Sequence, residues 1–291
     1  MLPKEIIKKI RRIEITTSKL VTDMLAGQYE SVFKGRGIEF DEVREYQPGD
    51  EIRSIDWNVT ARMGHPYIKK YIEERQLTVM ILLDASGSSY FGTSKRLKSE
   101  LAAEVSAVLA FAAIQNKDRV GLIIFTDRIE KFIPPRKGLQ HVLRVIREAL
   151  YFKPKSRGTD IAGAMKYLDS VTTRRAVTFI ISDFFAKNFK KPLSIASKRH
   201  DVVAITITDP RETALPNAGI VELEDAEKGT IFLIDTSKTA LREKYASRAA
   251  RLAEERRELF GSINVDHIDI QTDKPYIEEF IKFFKMRKRR I

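Results

Sequence analysis

Asp84, Ser86 and Ser88 stand in the spacing D-x-S-x-S within the stretch Val79-Met80-Ile81-Leu82-Leu83-Asp84-Ala85-Ser86-Gly87-Ser88-Ser89. One turning loop with that spacing can aim a carboxylate and two hydroxyls at a common point, an all-oxygen donor set that suits a hard cation such as Mg²⁺. The simpler reading is a plain turn, because Asp, Ser and Gly also end strands for conformational reasons. Two later stretches carry the same donor types. Arg157-Gly158-Thr159-Asp160 precedes a helical pattern in Ile161, Ala164, Met165 and Leu168, which puts the Thr159 hydroxyl at a helix start, with Thr159 or Asp160 as its cap. Ser182-Asp183 then ends the apolar run Val177 to Ile181 and supplies a second carboxylate.

The elements that must hold these groups follow from the apolar pattern. An uninterrupted run such as Val79 to Leu83 is what a strand buried on both faces requires, so Asp84 lies where the strand leaves the core. That is the edge at which open α/β sheets bind ligands. Residues 96–116 are apolar on nearly all sides after Glu104 and form a helix buried against the sheet. Val120 to Phe125 make a strand, Thr126-Asp127-Arg128 a turn, and Ile129 to Ile133 a hairpin partner. Leu139 to Phe152 form a helix with Val142, Val145, Ile146 and Leu150 inward. Asp201 to Thr208 are a strand, followed by a Pro- and acid-containing insertion over about residues 209–237. A long helix from Lys238 to Phe260, a strand from His267 to Gln271 and a helix from Tyr276 to Phe284 complete the chain, which ends in a basic tail (Lys285, Arg287, Lys288, Arg289, Arg290) expected to fray. The expected class is α/β: a doubly wound, mostly parallel sheet over residues 77–291.

Residues 1–76 read as a separate helix-plus-β region. Ile6, Ile7, Ile10, Ile13, Leu20, Val21 and Met24 recur at near-helical spacing over residues 3–25, a stripe expected to pack on the protein itself rather than on a membrane. Gly35-Arg36-Gly37 is a turn, lacking the strand and the Gly-Lys-Ser/Thr of a phosphate cradle. Pro48-Gly49-Asp50 is a turn, with Asp50 expected to cap a short helical turn through Ile52 and Ile55, and Tyr67 to Ile72 read as a strand. The Asp, Glu and Arg residues around Trp57 read as Arg–carboxylate pairs locking a small β-domain, and Trp57 as core.

Asp84, Ser86, Ser88, Thr159 and Asp183, in that order and each at a strand end or helix start, resemble the metal-ion-dependent adhesion site of von Willebrand factor A domains. The stretch E-F-D-E-V-R-E-Y-Q-P-G-D-E-I-R-S-I-D-W with Ala61-Arg62, then Asp209 to Pro216 with Gly219 and Asp235-Thr236, is similar to the bacterial family called domain of unknown function 58. The resemblance implies a von Willebrand A / Rossmann-like fold and Mg²⁺ or Mn²⁺ at those five residues, with the three hydroxyls touching the metal directly and at least one carboxylate acting through water. It implies as partner a protein that supplies an acidic side chain, and a MoxR-type AAA+ ATPase in particular. Some family members carry N-terminal membrane spans, from which this sequence departs.

Composition narrows the alternatives. With no cysteine there is no disulfide, thiolate metal site or cysteine nucleophile, and the four histidines (His65, His141, His200, His267) lack H-x-x-x-H spacing. No apolar run approaches the roughly 18 residues that span a bilayer, and the start lacks the apolar core of a signal peptide, so the expected location is cytoplasmic, with membrane contact at most peripheral. A net charge of +12 arises from 52 basic and 40 acidic residues that are interspersed, which names no nucleic-acid site. No G-x-S-x-G elbow or Walker sequence is present. The function expected is a non-catalytic, metal-dependent protein-binding module, an adaptor or chaperone component. The alternative is a Mg²⁺-dependent phosphoester hydrolase or nucleic-acid-binding protein, which calls for more carboxylates or a second metal.

Overall fold

The computed structural model describes residues 29, 33, 37–74, 76–93, 96–227 and 229–290. The helix expected over residues 3–25 and most of the Gly35-Arg36-Gly37 turn lie outside them. The chain divides into two compact units, Phe33–Leu77 and the remainder.

In the smaller unit, strand β1 (Gly37–Glu45) pairs antiparallel with β2 (Tyr67–Glu74), Glu45 opposite Tyr67. Between them lie a 3-10 turn (Ile52–Ser54) and helix α1 (Trp57–Met63). Asp56 caps α1 by accepting from the Asn58 and Val59 amides at 3.0 and 3.3 Å, and Gly64 ends it in the left-handed conformation open to glycine. Asp50 does not cap the 3-10 turn, as its position had led us to expect. Both its oxygens are taken by the Arg44 guanidinium at 2.7 and 3.0 Å, and Glu51 stands at the cap position without a side-chain bond. Trp57 is not core but 68% exposed. It opens a seven-residue helix with no buried side chain, and two strands with one short helix enclose no space for an indole.

The larger unit is the expected doubly wound, mostly parallel sheet. In chain order it contains β3 (Thr78–Asp84), α2 (Lys98–Gln115), β4 (Arg119–Phe125), β5 (Ile129–Arg136), α3 (Leu139–Tyr151), α4 (Ile161–Val171) and β6 (Val177–Ser182). There follow α5 (Lys190–Arg199), β7 (Asp201–Thr208), α6 (Pro210–Thr213), β8 (Ile220–Glu224), β9 (Ile231–Asp235), α7 (Thr239–Ser262), β10 (Asp266–Gln271) and α8 (Ile277–Lys288). The sheet order is β10-β7-β6-β3-β4-β5, with only β5 antiparallel to its neighbour. The chain leaves β3 toward β4 and β5, then returns to lay β6 on the other side of β3. The order therefore reverses between β3 and β6, and the crevice at their C-terminal ends is the switch point where such sheets bind ligands.

Met80 and Leu82 pack with Ile180, Met165, Leu193 and Phe260 on one face, under α4, α5 and α7. The alternate residues Val79, Ile81 and Leu83 are equally buried on the opposite face, which explains why the strand is apolar throughout. Helix α5 had no expectation from sequence. The insertion contains the hairpin β8–β9, which pairs with no other described strand. Two arginines of the basic tail expected to fray are tied to the sheet: Arg287 pairs with Asp201 and with Asp266 at 3.2 Å, and Arg290 reaches Asp266 at 3.0 Å. No helix among the described residues is long and apolar enough to cross a membrane.

Candidate functional site

Strand β3 stops at Asp84 because its carboxylate bends the chain. Asp84 Oδ1 accepts the Ser86 amide at 2.9 Å, an Asx turn. Gly87 to Tyr90 then form a 3-10 turn that brings Ser86 Oγ within 3.1 Å of Ser88 Oγ. From the neighbouring strand end, Ser182 Oγ donates to Asp84 Oδ2 at 2.6 Å, and Ser88 and Asp183 line one cavity with Asp84. Four of the five residues expected from sequence thus meet at the β3/β6 switch point. The chain turns away after Asp183 through Phe184, a bulky residue held in the left-handed region (φ 58°) by rings of Phe189 and Phe260 at 5.8 and 5.1 Å. Local strain of that kind accumulates at binding sites.

The fifth residue comes from the 157–159 segment, and several contacts place it. The Gly87 amide donates to the Arg157 carbonyl at 2.8 Å, and the Asp160 amide to the Thr126 carbonyl at 2.8 Å. Glu130 Oε1 accepts the Lys155 and Ser156 amides and the Thr126 hydroxyl, all at 3.1 Å. Asp160, not Thr159, caps α4, accepting from Gly163 at 2.9 Å. That leaves the Thr159 hydroxyl free of capping duty, and it donates to Glu227 Oε1 at 2.7 Å.

The sequence reading gave no role at the site to Lys98, or to Asp209 behind it, which entered only through the family resemblance. Lys98, on the first turn of α2 and almost fully buried, reaches Asp183 Oδ2 at 2.8 Å and Glu212 Oε1 at 2.6 Å. Asp209, at the end of β7, is fully buried and accepts from Thr93, the Arg211 amide and Thr272. Glu212 accepts the Asp209 amide at 2.8 Å and so completes a capping box on α6.

The electrostatics of the two site carboxylates differ. Burial raises the proton affinity of Asp183, but the Lys98 ammonium and several donors outweigh it and hold the carboxyl below the usual range. Burial and the negative charge of Asp183 push Asp84 up to about 6, against the bonds from Ser182 and Ser86. Among the described residues no cationic side chain pairs with Asp84. Beside it is a cavity of about 20 Å³, room for one water or ion, lined by Asp84, Ser88, Ser89, Lys98, Ser182 and Asp183 with the apolar Ala102, Ile181 and Ile207; Ser86 and Thr159 do not line it. A hard divalent cation would supply the counter-charge that Asp84 lacks and accept neutral hydroxyls as ligands.

A family model described as "Protein of unknown function DUF58" matches residues 42–255. An uncharacterized protein of Mycobacterium tuberculosis is 33% identical over 285 residues, covering 96% of this chain and 89% of its own length. Among solved structures, an aerotolerance-related membrane protein from Bacteroides fragilis aligns with TM-score 0.49 at 16% identity, over 74% of this chain and all of that one. The SpRpn10 VWA domain aligns with TM-score 0.41 at 11% identity, over 71% of this chain and 94% of its own.

Proposed function

This chain belongs to the DUF58 family, and from that premise we propose that it is a non-catalytic, metal-dependent protein-binding module of the cytoplasm. Asp84, Ser86, Ser88, Thr159 and Asp183 would hold Mg²⁺ or Mn²⁺, and the bound ion supplies an electrophilic centre for a partner's Asp or Glu. The observation that carries the reading is the pair of buried carboxylates at the switch point, one paired with Lys98 and the other with no cationic side chain among the described residues. A site with only neutral hydroxyls added to these two groups leaves charge on the cation for an incoming carboxylate. Lys98 holds Asp183 in place, the Ser86 amide and the Ser182 hydroxyl hold Asp84, and the Glu130 clamp holds the loop that carries Thr159. The hydroxyl that meets Asp84, that of Ser182, is buried and serves to hold the carboxylate rather than to face a substrate, which favours binding over hydrolysis.

By family resemblance, the first partner to test is a MoxR-type AAA+ ATPase. The test is capture of that ATPase by the tagged chain in Mg²⁺ and in EDTA, beside Asp84→Ala. Retention that requires both metal and Asp84 supports the reading. Retention that is equal in EDTA, or unchanged in the variant, refutes it.

A further inference from the structure

The Thr159 hydroxyl spends its one proton on Glu227, and a hydroxyl bound that way keeps its lone pairs for a cation. Glu227 stands at the tip of the β8–β9 hairpin, 68 residues further along the chain. The tip also reaches the site through its backbone. A Cβ placed on Gly87, in the middle of D-x-S-x-S, would lie 2.2 Å from the Ala226 carbonyl oxygen, so this loop accommodates the hairpin only because residue 87 is glycine. The tip itself is pre-shaped. Asp225 Oδ1 accepts the Glu227 amide at 3.0 Å, and the Asp225 carbonyl accepts the Gly229 amide at 2.7 Å.

The body of the hairpin is held far less firmly. Its strands pair only with each other among the described strands, and Ile220, Ile231 and Leu233 face solvent. A two-stranded ribbon of this kind is marginal by itself. The Arg157–Glu224 contact at 3.9 Å joins two exposed side chains and adds little. An arm anchored at its base by the buried Thr236 and otherwise largely exposed therefore delivers a carboxylate to Thr159. The tip thus lies against both Gly87 of the D-x-S-x-S loop and Thr159, the two segments that bring hydroxyls to the proposed metal.

We propose that Glu227 is the chain's own carboxylate for the metal site, closing its Thr159 side, so that a partner's acidic side chain reaches the ion only by taking its place. This rests on the metal-dependent reading above. It adds a sixth side chain to the site and makes the hairpin the element that responds to metal.

Mn²⁺ alone serves as the probe, titrated calorimetrically into the full chain while hydrogen exchange is followed over residues 220–235. In the natural chain Mn²⁺ binds and slows exchange in the hairpin. Glu227→Gln keeps an acceptor for Thr159, and Gly87→Ala keeps all the metal-binding side chains while pushing the tip away. Both variants bind Mn²⁺ roughly five- to tenfold more weakly, the worth of about one charge-assisted contact, and their hairpins become indifferent to metal. Equal affinity in the natural chain and both variants, with hairpin exchange unaffected by Mn²⁺, overturns the role of Glu227 and leaves the metal site standing. No binding by the natural chain, or equal binding by Asp84→Ala with Asp183→Ala, overturns both.

Discussion

Replacing Asp84 by Asn should stabilise the metal-free protein at neutral pH. Burial and the charge of Asp183 raise the Asp84 carboxyl from 3.8 to about 6 in the folded chain. Below pH 3.8 the group is protonated in both states and contributes nothing to pH dependence. As pH rises through the window from 3.8 to about 6, the unfolded chain gives up the proton while the folded chain keeps it, and stability falls. Above that window the full penalty is present, about two pKa units or roughly 3 kcal/mol. Asparagine matches the protonated acid in shape. Its oxygen can accept the Ser86 amide and its amide can donate to Ser182 Oγ, but the Ser182 hydroxyl proton then loses its acceptor, at a cost of about 1 kcal/mol. The net gain at pH 7.5 in EDTA is about 1–2 kcal/mol, or roughly 2–8 °C in melting temperature for a protein of this size. Calorimetric melts at pH 7.5 and 4.5, with EDTA or Mg²⁺, read it. The advantage should shrink at pH 4.5 and in Mg²⁺, where the natural chain gains and the variant does not. A variant that melts below the natural chain at pH 7.5 in EDTA, or a difference independent of pH, would refute the account of Asp84 as an uncompensated buried charge.

Mg²⁺ at about ten times its dissociation constant should add roughly 1.4 kcal/mol to the stability of the natural chain, and no shift is expected for Asp84→Ala with Asp183→Ala in the same melts. Lys98→Met strands Asp183 and Glu212 as buried charges, so urea unfolding should show a loss of about 3–5 kcal/mol, partly recovered by adding Glu212→Gln. His200 is depressed by burial, against the pull of Asp169; its Nδ1 accepts the Ala176 amide at 3.2 Å while Nε2 lies 3.1 Å from Asp169. Nitrogen-detected NMR should therefore find it neutral and protonated on Nε2 at pH 6.5, and stability should decline as pH falls below its unfolded value. With Mn²⁺ and a generic phosphodiester, turnover should stay at background; hydrolysis that vanishes in Asp183→Ala would replace the binding reading with the hydrolase one.

The parts of this fold that could be read in the sequence are those whose signal is local. Val79 to Leu83, and Val177 to Ile181 apart from Thr178, are apolar without alternation because both faces are covered, and the Asp or Ser-Asp after each marks the sheet edge. Helix α5 was hidden because Lys190, Lys191, Lys198 and Arg199 dilute its inward stripe of Leu193 and Ala196, and Pro192 looks like a breaker. In the first turn, however, a proline gives up an amide that has no partner within the helix. What could not be read were the pairings between distant residues. A lysine in a helix is ordinarily solvated, and nothing near Lys98 announces that its ammonium meets carboxylates 85 and 114 residues away. Glu130 likewise clamps amides 25 and 26 residues further on, a role set by where β5 and the 155–156 loop come to lie. These contacts decide the chemistry more than the motif does. D-x-S-x-S with Asp183 would offer a cation two carboxylates, but one of them is already paired with Lys98, an ammonium it shares with Glu212. Of the two buried carboxylates, the one with charge to spare for the proposed metal is therefore Asp84, which is why its substitution is the sharpest probe of the proposed site.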